Sequence, residues 1–129
     1  MNKRIAANKI TELKDNEVFV FGSNLQGKHG AGAAAIATKQ FGAIWGQGVG
    51  LQGQSYAIPT MHGGVEEIKP YVDEFIEFAK NHPNLNFLVT RIGCGIAGFT
   101  EEEVAPLFNN AVSVENIYLP DTFWKVIEG

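Results

Sequence analysis

The residues best equipped for chemistry lie in two glycine-rich stretches. The first, Gly22-Ser23-Asn24-Leu25-Gln26-Gly27-Lys28-His29-Gly30-Ala31-Gly32-Ala33-Ala34, follows the apolar run Val18-Phe19-Val20-Phe21 and leads into the small-residue run from Ala31 to Gln40. That order predicts a strand, a tight turn and a helix start. Glycines in such a turn accept positive φ and let backbone approach a ligand closely. The free N–H groups and positive dipole end of the helix attract anions, phosphate above all. The second stretch, Gly93-Cys94-Gly95-Ile96-Ala97-Gly98-Phe99, follows the apolar run Leu85 to Ile92. Thr100 and Glu103 come next at capping-box spacing, so this loop also opens a helix. Either loop alone is equally well explained as a plain turn before a tightly packed helix. Two of a kind point to a ligand with two linked phosphates, or a phosphate and a sugar, held by paired nests of backbone N–H groups.

Several side chains in and near these loops are candidates for specific roles. Asn24 can donate and accept, which suits paired ribose hydroxyls, although an Asn holding its own turn is the plainer alternative. His29 is the candidate general base, with Asn24 orienting ribose or water. His62 is a weaker spare acid or base. Cys94 has no evident partner base, and a small residue in a tight loop accounts for it better than a nucleophile does. No GKS or GKT follows the first glycines, which disfavours a nucleotide triphosphatase, and their spacing is not that of the dinucleotide fingerprint.

The elements that must position these loops follow from pattern. Val18 to Phe21 is apolar at every position, as in a strand covered on both faces. Its helix should end near Phe41, before Gly42. Gly42 to Gly53 reads as a loose hairpin or a flap, with Trp45 as a core plug in preference to a stacking platform. Ser55 to Ile58 reads as a strand stopped by Pro59, and Ile68, Val72, Phe75, Ile76 and Ala79 mark one face of a helix from Glu66 to Asn81. Leu85 to Ile92 is the next strand, and Pro106 should bend the helix after it or trim its early bonds. Asn116 to Leu119 is a short strand before a terminal turn or helix, and Asn2 to Asn16 is a short edge strand or loop. Strands alternating with helices give an α/β fold, a three-layer α/β/α sandwich on a mainly parallel, mixed sheet, whose ligands bind at the carboxyl ends of the strands.

The totals agree with one domain over residues 1–129. With 45% hydrophobic and 19% charged residues the composition is that of an ordinary globular protein. No apolar run is long enough to span a bilayer and the N-terminus lacks the apolar core of a secretion signal, so a cytoplasmic protein without membrane association is expected. Cys94 is the single cysteine and no Cys/His cluster has zinc spacing; no metal or cofactor is expected. A net charge of −4 argues against a broad nucleic-acid surface. Acidic residues crowd the predicted helices while Lys28, His29 and Arg91 lie in or beside the loops, a distribution suited to a small anionic ligand.

Together these pieces resemble a divergent macrodomain, the ADP-ribose-binding family. The family's N-A-A-N, G-G-G-V, V-I-H and I-S-T-G-I-Y-G-F segments have counterparts here in VFVFGSN, HGAGAAAIA, SYAIPT and IGCGIAGF, over about Ile10 to Leu119. The resemblance implies that Asn24 contacts the distal ribose, and that Gly30, Ala31 and Gly32 lie beside that ribose and the diphosphate. It implies that Gly93, Cys94, Gly95, Ile96, Ala97, Gly98 and Phe99 wrap the diphosphate, with Ile96 and Phe99 near the sugar; Gly22 and Ser23 of the first loop are further candidate ligand-binding residues. The chain departs from the family in three places. Asn8-Lys9-Ile10-Thr11 stands where many members have G-D-I-T, so adenine recognition would pass to Asp15, Asp121 or a backbone carbonyl. Ala34 replaces the Asp of hydrolytic members, and Lys28 and His29 stand over the expected distal ribose.

The expected function is binding of ADP-ribose or a related nucleotide diphosphate, free or on an ADP-ribosylated macromolecule. One alternative is an ADP-ribosyl hydrolase or ADP-ribose phosphate phosphatase using His29 and Asn24. Another is a non-catalytic interaction protein whose ligand cleft is degenerate.

Overall fold

A computed structural model describes residues 4–95 and 97–129. In chain order its elements are β1 (Ile5–Ala6), β2 (Glu17–Ser23), α1 (Gly32–Gln40), β3 (Gly50–Gln52), β4 (Ser55–Pro59), α2 (Val65–Lys80), β5 (Asn86–Val89), α3 (Glu101–Val104), a 3-10 helix (Ala105–Ala111), β6 (Ile117–Pro120) and α4 (Asp121–Glu128). The six strands form one sheet in the order β1-β6-β5-β2-β4-β3. All neighbours are parallel except β3, which returns antiparallel on β4 as a short hairpin.

Side chains of a strand alternate between the two faces, and β2 shows why both faces must be covered. Val18 and Val20 enter a large cluster with Ile68, Val72, Phe75 and Ile76 of α2, Phe108 of the 3-10 helix and Phe123 of α4. Phe19 and Phe21 enter a smaller cluster with Ala34 and Ala37 of α1 and with Phe41. The chain is therefore a mixed α/β fold with helices on both faces of the sheet. Alanines on α1 let that helix lie close against the rings of β2, Phe19 and Phe41 having centroids 4.9 Å apart.

Connectivity places a crevice beside β2. The chain leaving β2 passes through α1 to reach β4 on one side, whereas the chain leaving β5 passes through α3 and the 3-10 helix to reach β6 on the other. The order of the sheet thus reverses between the adjacent strands β2 and β5. In open α/β sheets the crevice outside the carboxyl ends of the strands at such a point is where ligands bind. Both glycine-rich loops leave from there.

Several boundaries differ from the sequence expectations. Trp45 is not a core plug: it is 61% exposed, on the loop between α1 and β3. Pro106 does more than bend a helix. It sits where α-helical bonding ends after the four residues of α3 and the backbone tightens into the 3-10 helix. Thr100 caps α3 as expected, its Oγ1 accepting from Glu103 N–H at 3.3 Å and its own N–H donating to the Glu103 carboxylate at 3.0 Å. At the opposite rim of the sheet, Asn116 gathers three carbonyls with one amide nitrogen, those of Ala79 at 2.9 Å, His82 at 3.0 Å and Leu85 at 2.9 Å.

Candidate functional site

The two loops share one cavity of about 340 Å³, within the range of small-ligand sites. Gly22, Ser23, Asn24, Lys28 and Gly30 to Ala34 form one wall. Ile92, Gly93, Gly95 and Ala97 form the other, with Thr90 and Arg91 at its start, and Thr60 and Met61 from the end of β4 complete the lining. The walls touch where β2 ends: a Cβ placed on Gly22 would stand 3.5 Å from the Gly93 nitrogen and 3.3 Å from Thr60 Oγ1. A smaller cavity of about 220 Å³ adjoins the first at Ala33, Thr90 and Arg91 and is bounded by Ala7, Asn8 and Pro120.

The backbone lining this cavity is rich in unpaired donors. Helix α1 begins at Gly32 with no side-chain cap, and its first bond back to the turn is that of Ala35 N–H to Ala31 C=O. The N–H groups of Gly32, Ala33 and Ala34 therefore have no acceptor among the described residues, as the first turn of a helix requires. In the second loop the N–H groups of Ile92, Cys94, Gly98 and Phe99 bond to loop carbonyls. Those of Gly93, Gly95 and Ala97 have no acceptor among the described residues, and all three residues line the cavity. Gly32 and Gly93 hold φ of +60° and +79°, which only glycine adopts without strain.

Two cations border these donors. Lys28 lines the first wall. Arg91 is half-exposed at the start of the second, its Nε donating to Glu101 at 2.7 Å. The Glu101 carboxyl is held below the ordinary carboxylate range, first by its own backbone N–H at the start of α3 and then by the Arg91 side chain. Glu101 thereby fixes the guanidinium at the cavity rim.

Not every expected site residue faces the cavity. Gly22, Ser23, Asn24, Gly30, Ala31, Gly32, Gly93, Gly95 and Ala97 line it; His29, Cys94, Gly98 and Phe99 do not, and Ile96 lies outside the described residues. Asn24 holds its own turn: its Oδ1 accepts from Lys28 N–H at 2.9 Å and its Nδ2 donates to Lys28 C=O at 3.1 Å. One amide hydrogen and one lone pair are left for a ligand. His29 is 2% exposed, edge-on to Phe21, with Nε2 3.0 Å from the Gln47 carbonyl and Nδ1 without a hydrogen-bond partner among the described residues. It cannot reach a substrate from there, because the chain between α1 and β3 covers it. Cys94 and Phe99 pack on the large core cluster instead. His62 does not line the cavity either; its Nε2 accepts from Leu25 N–H at 2.8 Å and steadies the first loop from outside.

The lining residues that loop composition did not single out are Thr60, Met61, Thr90 and Ile92. Their signal was positional, since each follows or ends a parallel strand at the rim where the glycine loops leave. Neither Asp15 nor Asp121 borders a cavity of the site; Asn8 does. Asp121 instead faces Lys125 at 3.9 Å within α4. Among the described residues no group of three or more His, Cys, Asp or Glu is placed to hold a metal ion, and no helix is long and apolar enough to cross a membrane. Compared with protein-family models, with curated proteins and with solved structures, the chain matches none.

Proposed function

We propose that this chain binds ADP-ribose or a closely related nucleotide diphosphate in the crevice between its glycine loops, and that its fold is a divergent macrodomain. One observation carries the reading: six N–H groups, those of Gly32, Ala33, Ala34, Gly93, Gly95 and Ala97, are without acceptors among the described residues around one cavity with Lys28 and Arg91 at its edge. Donors fixed by the fold before the ligand arrives hold an anion with little reorganisation, and two facing sets suit two phosphates joined by one bridge. The adjoining smaller cavity is sized for a planar base and offers the Asn8 side chain for recognition in place of the carboxylate common in the family. The ligand is accommodated free or as the terminal group of an ADP-ribosylated macromolecule.

Catalysis is the weaker reading. His29 is sealed beneath the chain that precedes β3, and Ala34 stands where hydrolytic relatives of the macrodomain type carry a carboxylate. Binding without turnover needs neither group.

Calorimetric titration of wild type and Gly95→Glu with ADP-ribose tests the proposal. A Cβ at Gly95 meets nothing within 4 Å, and its φ lies outside the left-handed region, so the variant keeps its fold. Its carboxylate would stand among the donors meant for phosphate, and affinity should fall by at least about tenfold. A wild type silent toward both ADP-ribose and NAD, or equal affinity of the two proteins, refutes the reading. The first result, joined to an unchanged melting temperature with other nucleotides, favours a non-catalytic interaction protein.

A further inference from the structure

The loop between α1 and β3 carries an aromatic ring that the fold neither buries nor leaves loose. Trp45 is 61% exposed and its neighbour Ile44 is 52% exposed. Their loop is nonetheless pinned to the first glycine loop along its length. Gly46 N–H donates to Gly27 C=O at 2.9 Å, Ser23 Oγ donates to Gly48 C=O at 2.5 Å, and His29 Nε2 meets Gln47 C=O at 3.0 Å. Ile44 N–H donates to Gln52 Oε1 at 2.7 Å. A Cβ on Gly27 would collide with the backbone of Gly46 and Gln47, and one on Gly48 with the Asn24 carbonyl oxygen, so the two loops touch backbone to backbone. The backbone on both sides of Trp45 is thus tied down while its ring faces water.

Its place relative to the cavity is specific. The Trp45 ring tip, Cη2, lies 3.9 Å from where a side chain on Gly30 would begin, and Gly30 lines the cavity. The indole stands roughly perpendicular to the His29 ring, at 76° and 6.4 Å, which presents its edge or face to the buried imidazole and leaves the rest of its surface open. The smaller cavity joins the site at Ala33, Thr90 and Arg91 and does not touch Gly30. A ligand with its diphosphate on the loop amides and one base in the smaller cavity therefore has its remaining sugar directed along Gly30, toward Trp45.

We propose that Trp45 is a specificity-determining platform on which a planar ring at the second end of the ligand stacks, so that the site favours a diphosphate carrying aromatic rings at both ends over one ending in a bare sugar. This rests on the diphosphate-binding reading and narrows its ligand class. Aromatic stacking tolerates many rings and depends on a preset platform, which the pinned loop supplies. The absence of a side chain at Gly30 keeps the path from sugar to indole clear.

The test compares NAD, which has a ring at each end, with ADP-ribose, which has one, on wild type, Trp45→Ala and Trp45→Phe. The exposure of Trp45 makes both substitutions neutral to folding. The ratio of NAD affinity to ADP-ribose affinity should fall on the order of tenfold in Trp45→Ala and recover in part in Trp45→Phe. Fluorescence gives a second readout, because the other tryptophan, Trp124, is 5% exposed and lines neither cavity. NAD should quench the emission that Trp45→Phe removes, and ADP-ribose should quench it less. An unchanged affinity ratio with both ligands bound overturns the platform and leaves the diphosphate site standing. Failure of both ligands to bind wild type overturns the diphosphate site, and the platform with it. Trp45-dependent capture of another protein with no change in the ratio assigns the exposed ring to a protein contact and overturns the proposal.

Discussion

Burial, and then the Glu101 carboxylate, push the Cys94 thiol above its ordinary range, with Arg91 only partly offsetting them. The thiolate is the reacting form, so Cys94 should be alkylated by iodoacetamide near pH 8 roughly severalfold more slowly than free cysteine, and Glu101→Gln should narrow the gap. A rate equal to that of free cysteine would contradict this environment. The same local logic explains which single residues could be read in advance. Gly32 and Gly93 announce themselves because their positive φ demands glycine, whereas Gly30 and Gly95 are legible only as part of the glycine pattern. His29 and Asn24 carry the right atoms in the right loop, yet one side chain is covered by a segment 18 residues further on and the other braces its own turn. The backbone that covers His29 is distant and a sequence window does not contain it, whereas the turn that Asn24 braces is local and was the plainer of its two readings. The Gly95→Glu titration belongs to this scale: a single carboxylate among six N–H groups without acceptors among the described residues should be enough to close the site.

Between residues and the whole lies the clasp formed by the Trp45 segment and the first glycine loop. Two glycines make it possible, Gly27 with φ of +69° and Gly48, whose missing side chain lets the Asn24 and Leu25 carbonyls lie against it. Gly48→Ala should force these segments apart, lower stability by about 1–3 kcal/mol in urea titration and weaken any Trp45-dependent binding. A variant as stable as wild type would show that the clasp gives way freely. Pattern alone identified the strands β2, β4 and β5 and the helix α2, because uninterrupted apolar runs and a helical stripe are properties of contiguous residues. It placed Trp45 inside, because a tryptophan is usually covered and the hydrogen bonds that hold this one outside come from elsewhere in the chain. The helix after the second loop was foreseen at its capped start, and the disturbance at Pro106 was foreseen as a bend or trimmed bonds; Pro106 withholds a donor and the backbone passes into a 3-10 helix there.

At the scale of the molecule, the sheet with helices on both faces was legible from alternation of element types, and the shared rim of the loops from the parallel connections this requires. The edges were not: β1 has two residues and β3 three, too few to show a period. The large core cluster also sets the response to alkali. Burial, and secondarily Glu74, push the Tyr56 hydroxyl up to about 12. Its value in the unfolded chain is near 10, so the folded state disfavours the phenolate. Stability is fully retained below about pH 10 and is lost as pH rises from there toward 12. The urea midpoint should decline across that interval, and Tyr56→Phe should flatten the decline; an identical profile in the variant would remove Tyr56 as its cause. The amide of Asn116 has a consequence for synthesis. It reaches back more than 30 residues to the carbonyls at the end of α2 and just beyond it. A nascent chain leaving the ribosome N-terminus first cannot finish that turn until Asn116 has emerged, and domains complete their folding as units. A chain cut before Asn116 would thus leave the carbonyls of Ala79, His82 and Leu85 without this donor and the large core without β6 and α4.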